Sequence, residues 1–116
     1  MNISLASLFA DIPHLLPEEV CQTLLENPAV RIERILSKGH SSPDLGWYDQ
    51  EQAEWVLLLQ GQARLSFLNG DTLNMSAGDY LLLPAHCKHR VDWTSTDPVC
   101  IWLAIHIFSD CPNAAA

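Results

Sequence analysis

"EWVLLLQGQARLSFLNGDTLNM", residues 54–75, decides the class of this chain. Five consecutive apolar residues, Trp55 to Leu59, close on Gln60-Gly61; a second run, "ARLSFL", follows at once, and Asn69-Gly70 marks a hairpin turn before "DTLNM". The pattern continues in both directions. Downstream come "DYLLLP", "HRVDW" and "VCIWLAIHIF", separated by the turn signals "SAGD" at 76–79, "PAHCK" at 84–88 and "STDP" at 95–98; upstream lie "VRIERILS" and "WYD". About eight short strands at hairpin spacing, with no helical period between them, exclude a parallel βαβ sheet and predict an antiparallel sandwich or barrel.

With 116 residues and 48% hydrophobic content the chain holds one domain with its own core. Fourteen acids against six bases give a formal charge of −8, which argues against nucleic acid and anionic membrane surfaces as partners. The first twenty residues carry Asp11, Glu18 and Glu19, no basic cluster and no long apolar run, so neither a signal peptide nor a membrane span is expected there, and the protein is expected to be cytoplasmic. Cys21, Cys87, Cys100 and Cys111 form no CxxC pair and are expected to stay reduced, Cys100 as a small core residue within an apolar run.

One helix is predicted. "LPEEVCQTLLENP" opens with Pro17 and two acids, spaces Val20, Leu24 and Leu25 helically and stops at Asn27-Pro28. "SLASLFADIPHLL" before it reads as an arm laid across the body of the fold. The expected organisation is an N-terminal arm and helix over 1–28, a β-barrel over 29–110 and a frayed tail over 111–116. In strand 54–60, Glu54, Val56, Leu58 and Gln60 share one face and Trp55, Leu57 and Leu59 the other. Both faces are too apolar for water, so the outer one needs a cover, either the N-terminal segment or a second copy; a homodimer is expected.

Glu54 stands at the threshold of that strand, and a buried carboxylate is unfavourable unless paired, hydrogen-bonded or bound to a cation. Glu54 followed after six residues by Gly61 resembles the second half of the first cupin motif, Gly-x5-His-x-His-x3/4-Glu-x6-Gly. "GDYLLLPAHCKH" resembles the second motif, Gly-x5-Pro-x-Gly-x2-His-x3-Asn, through Gly78, Pro84 and His89. The resemblance spans roughly residues 30–108 and implies an all-β double-stranded β-helix of the jelly-roll class, here with a short N-terminal helix. Where cupins place two histidines this chain has Trp47 and Asp49; His86 stands at the second motif's Gly and Trp93 at its Asn.

In many cupins the two histidines, the glutamate and the later histidine bind one divalent metal. Carried over by position, the resemblance implies Asp49, Glu54 and His89 as metal ligands, an oxygen-rich set suited to Mn²⁺, Fe²⁺, Zn²⁺ or Mg²⁺. A cation would relieve the repulsion between the two carboxylates. Trp47, His86 and Trp93 are expected to line a small-molecule pocket, while His40 and His14 read as loop or surface residues and His106, on the face of Trp102, as a satisfied core histidine. Two functions follow: a metal-dependent enzyme of dioxygenase, isomerase or lyase type acting on a small molecule, and a metal-free, non-catalytic small-molecule binder with Glu54 and His89 as polar anchors.

Overall fold

Eight strands follow one another along the chain: β1 (Val20–Glu26), β2 (Val30–Ser37), β3 (Ala53–Gln60), β4 (Gln62–Phe67), β5 (Thr72–Ser76), β6 (Tyr80–Leu83), β7 (His89–Thr94) and β8 (Cys100–Ile107). They belong to a computed structural model that describes residues 2–42 and 47–108. The expected tail over 111–116, with Cys111, lies outside the described residues. Two antiparallel sheets face each other, one of five strands in the order β1-β2-β8-β3-β6 and one of three in the order β5-β4-β7. This is the antiparallel all-β architecture that the turn spacing predicts, and the jelly-roll class that the resemblance implies. Among the described residues no helix is long and apolar enough to cross a membrane.

The expected N-terminal helix is not present: Val20–Glu26 forms strand β1, paired antiparallel with β2 from Val20↔Leu36 to Glu26↔Arg31. Pro17 and the two acids do resemble a helix start, but a segment this short is marginal as an isolated helix. The open edge of β2 offers it a ladder of main-chain hydrogen bonds instead. Asn27 makes the turn by accepting the backbone N–H groups of Ala29 and Val30 on Oδ1. What looked like a C-terminal stop is therefore a hairpin turn, and β2 is an inner strand rather than an edge.

Alternation sorts the side chains of β3. Glu54, Val56 and Leu58 are buried between the sheets, while Trp55, Leu57 and Leu59 are half-buried on the outer face. The core gathers Val56, Leu58, Ala63, Leu65, Met75, Leu83, Cys100, Trp102 and Ala104 from both sheets. At Gly61 the chain leaves the larger sheet and enters the smaller, its φ of +94° taking the corner. Part of the outer face is covered by the N-terminal arm, whose Ile12 and Leu16 pack on Leu36, Ile101 and Leu59. Arg34, 5% exposed, ties the arm down: its guanidinium donates to the carbonyls of Leu8 (3.1 Å) and Ala10 (2.6 Å) and to Gln22 Oε1 (2.7 Å).

Candidate functional site

Register builds the site. In the five-stranded sheet Arg31 is opposite His106, His106 opposite Glu54, and Glu54 opposite Leu83, so one inward row crosses four strands. The next row, Glu33, Ala104, Val56 and Leu81, and the one beyond it, containing Ile35, Trp102 and Leu58, grow steadily more apolar. From the facing sheet His89 and Val91 of β7 and Leu65 of β4 close the space. The result is a cavity of about 230 Å³ with a polar wall and an apolar floor, below the roughly 300–1,000 Å³ of sites for drug-sized ligands.

Three ionisable side chains on this wall are deeply buried: Glu54 is 8% exposed, His89 7% and His106 5%. His106 Nε2 lies 2.6 Å from Glu33 Oε1. A carboxylate only accepts, so Nε2 carries the hydrogen, and in the neutral ring Nδ1 is an acceptor; among the described residues it is buried without a partner. His89 Nδ1 lies 2.9 Å from the Cys87 carbonyl and must donate to it, which makes Nε2 the acceptor nitrogen of its neutral ring. The His89 ring rests against Tyr48 at 5.3 Å between centroids, and Tyr48 pairs with His89 through the backbone. That bridge straps the Trp47–Gln50 segment across one end of the cavity.

Burial pushes the Glu54 carboxyl above the ordinary carboxylate range, outweighing the downward pull of His106 and His89; Glu33 adds to the rise. A carboxyl raised in the folded state binds more protons there than in the unfolded chain, so stability falls as pH rises from the ordinary value through the folded one. Glu54→Gln keeps the shape and removes the ionisation. It is expected to melt higher than the parent at pH 7–8, with the advantage shrinking as pH falls towards about 4, where the carboxyl is protonated in both states. Melting curves across that range check it; a pH-independent difference, or a lower melting point at pH 8, would contradict the assignment.

The structure brings together only part of the expected site. Glu54 and His89 face the cavity, but Asp49 is 41% exposed in its side chain and pairs outside it with His86, Oδ1 to Nδ1 at 3.0 Å. Among the described residues no group of three or more His, Cys, Asp or Glu side chains is arranged to hold a metal ion, so the expected Asp49, Glu54 and His89 set does not fit one. His86, at φ +60° in the β6–β7 turn, does not line the cavity. Trp47 and Trp93 are 37% and 49% exposed, and neither lines the cavity. Trp47 lies beneath the Arg90 guanidinium instead, 5.5 Å from its ring centre. For Trp93 the cause is a register shift: Leu65 pairs with Val91 but Arg64 with Trp93, and the extra residue turns Trp93 outward and Thr94 inward.

His106 and Glu33 are the site residues that the motif reading misses. His106 is a core histidine as expected, yet only one of its two ring nitrogens is satisfied. The signal available was the alternation in "VRIERILS", which puts Arg31 and Glu33 on one face with Ile35, the face that points inward.

Comparison with known proteins agrees with this geometry. A cupin-domain family model matches residues 33–106. A Ralstonia eutropha JMP134 protein named "putative mannose-6-phosphate isomerase" is 42% identical, with a TM-score of 0.87 over 92% of this chain and 100% of that one. A cupin superfamily protein of Desulfitobacterium hafniense DCB-2, 20% identical, has a TM-score of 0.71 over 84% of each chain. An RmlC-like cupin of Methanocaldococcus jannaschii, 14% identical, has a TM-score of 0.66 over 84% of this chain and 86% of the other, and carries the double-stranded β-helix fold. No curated protein shows significant similarity to the chain. The match from β2 to β8, the 42%-identical neighbour and the face-to-face antiparallel sheets agree: the chain belongs to the cupin family.

Proposed function

We propose that the protein is a small-molecule-binding cupin whose ligand sits between the two sheets, anchored by Glu54, His89 and His106 and lying on the floor formed by Val56, Leu65 and Trp102. One observation carries this reading: three ionisable side chains, none more than 8% exposed, line a single cavity. Burying such groups works against folding, so their concentration at one place points to use rather than to packing. The isomerase name of the Ralstonia eutropha relative, at 42% identity, supports the same cavity as the working part of the chain. The metal-dependent enzyme is the weaker reading, because Asp49 is turned away to His86 and, among the described residues, a third ligand does not converge with Glu54 and His89.

Amide chemical-shift mapping with a library of small polar compounds tests the proposal. Hits are expected to perturb residues around Glu54, His89 and His106. His89→Phe, which keeps the ring volume and removes the polar anchor, is expected to weaken them by about tenfold or more while leaving a folded spectrum. A library without hits, or hits that map elsewhere and ignore His89→Phe, would overturn it.

A further inference from the structure

The polar wall of the cavity has a chemical sign. Among the described residues its carboxylates are Glu19, Glu33 and Glu54, and the one guanidinium that lines it, Arg31, lies 3.6 Å from Glu33 and 4.0 Å from Glu26, with its Nε buried and without a hydrogen bond. The two imidazoles give their N–H groups to the protein, His106 to Glu33 and His89 to the Cys87 carbonyl, so in their neutral forms the remaining nitrogens are acceptors. Among the described residues His106 Nδ1 is buried with no partner. Among the described residues, nothing hydrogen-bonds to the Glu54 carboxyl. Arg31 Nε apart, the unpaired atoms of the two buried histidines and of Glu54 are acceptors, and three carboxylates against one guanidinium give the described lining a negative charge.

Cys21, at the exposed rim of the same cavity, faces the same carboxylates. Burial raises its thiol above the ordinary value, and Glu19, Glu33 and Glu54 each raise it further against the smaller opposing effect of Arg31. The aromatic lining adds the other half of the recognition, with the indole of Trp102 on the floor and the phenol of Tyr48 at one end of the cavity. Carboxylates beside aromatic faces in a desolvated cavity are the surroundings that attract an organic cation.

We propose that this cavity selects a small primary ammonium compound with an apolar body, its N–H donors directed to Glu54 and the adjoining acceptors and its body on the Trp102 floor, and that it rejects phosphate esters. The inference rests on reading the cavity as the ligand site. An ammonium group fits where a divalent metal does not, because it brings three donors and needs no closed coordination shell. A phosphate dianion meets three carboxylates against one arginine, and like charges brought together in a poorly solvated site repel strongly. The volume of about 230 Å³ limits the body to about one ring.

A matched series separates charge from shape: phenethylamine, 2-phenylethanol and 2-phenylethyl phosphate, titrated into the full-length protein by calorimetry at pH 7.5, with amide shifts recorded alongside. The amine is expected to bind at least about tenfold more tightly than the alcohol, and the phosphate ester to give no heat. Glu54→Gln is expected to remove most of that preference. Cys21→Lys, at an exposed position on the rim, places an ammonium among the same carboxylates and is expected to abolish amine binding without lowering the melting temperature. Binding of the alcohol or the phosphate ester as tightly as the amine, with shifts centred on the cavity, would overturn the cation assignment while leaving the cavity standing as a binding site. Silence from all three overturns the cation assignment, and silence from the polar-compound library as well would overturn the site.

Discussion

Gly61→Ala is expected to lose about 3–5 kcal/mol of stability, the sum of strain at a left-handed backbone position and overpacking of a filled corner. A Cβ added there would lie 2.7 Å from Cys100 Sγ and 2.8 Å from Ser95 Oγ, both too close for real contacts, and 3.0 Å from Cys100 Cα, which is tight, and φ is +94°. Neither neighbour is free to retreat. Ser95 Oγ donates to the Pro98 carbonyl at 2.7 Å and accepts the Gln62 N–H at 3.0 Å, and the Cys100 thiol donates to the Gln62 carbonyl at 3.1 Å. These bonds hold the first residue of β4 at the point where the chain changes sheets. In a domain of this size the loss corresponds to a melting temperature lower by roughly 10–20 °C. Gly78 supplies the control: its φ is +97°, but nothing lies within 4 Å of the added Cβ. Gly78→Ala should show backbone strain alone, about 1–2 kcal/mol. Denaturant unfolding of both variants decides the matter; equal losses would mean that the crowding at Gly61 contributes nothing.

Leu58→Ala is expected to lose about 3–5 kcal/mol, in the upper part of the range for buried leucines. Leu58 is completely buried, is opposite Trp102 in the β3–β8 ladder, and packs in the cluster that joins the two sheets. The side chains around it stand on hydrogen-bonded strands, so they cannot close the space left by the missing atoms. Leu58→Met nearly conserves volume and should lose less than about 1.5 kcal/mol. Chemical denaturation with an unchanged slope for both variants would identify the effect as lost packing. A loss for Leu58→Ala no greater than that for Leu58→Met would show a core that collapses freely.

Most of the fold was legible because turns are local. "NG" at 69–70 closes the β4–β5 hairpin and "SAGD" at 76–79 turns the chain from β5 in one sheet to β6 in the other, both by backbone chemistry within a few residues, and the runs between them became β4, β5 and β6. The misread element, 20–26, carries the same Pro and acid signals as a helix start, and the arbiter between helix and strand was the edge of β2, which no local window contains. Site residues divide along the same line. Glu54 and His89 stand at recognisable intervals and face the cavity. Asp49 is withdrawn by a partner 37 residues away, Trp93 is reversed by a single extra residue in a strand, and His106 meets Glu33 across 73 residues of sequence. Spacing motifs do not encode register, and register decides which side chains meet.

Arg34 holds the N-terminal arm by grasping carbonyl oxygens of Leu8 and Ala10 rather than side chains. A carbonyl is common to every residue, so these two bonds do not depend on which amino acids occupy positions 8 and 10. Phe9 between them is 56% exposed. This stretch of the arm can therefore accumulate substitutions while its path over the sheet is kept by one arginine, and selection for that path falls on Arg34 and the apolar contacts of Ile12 and Leu16 instead.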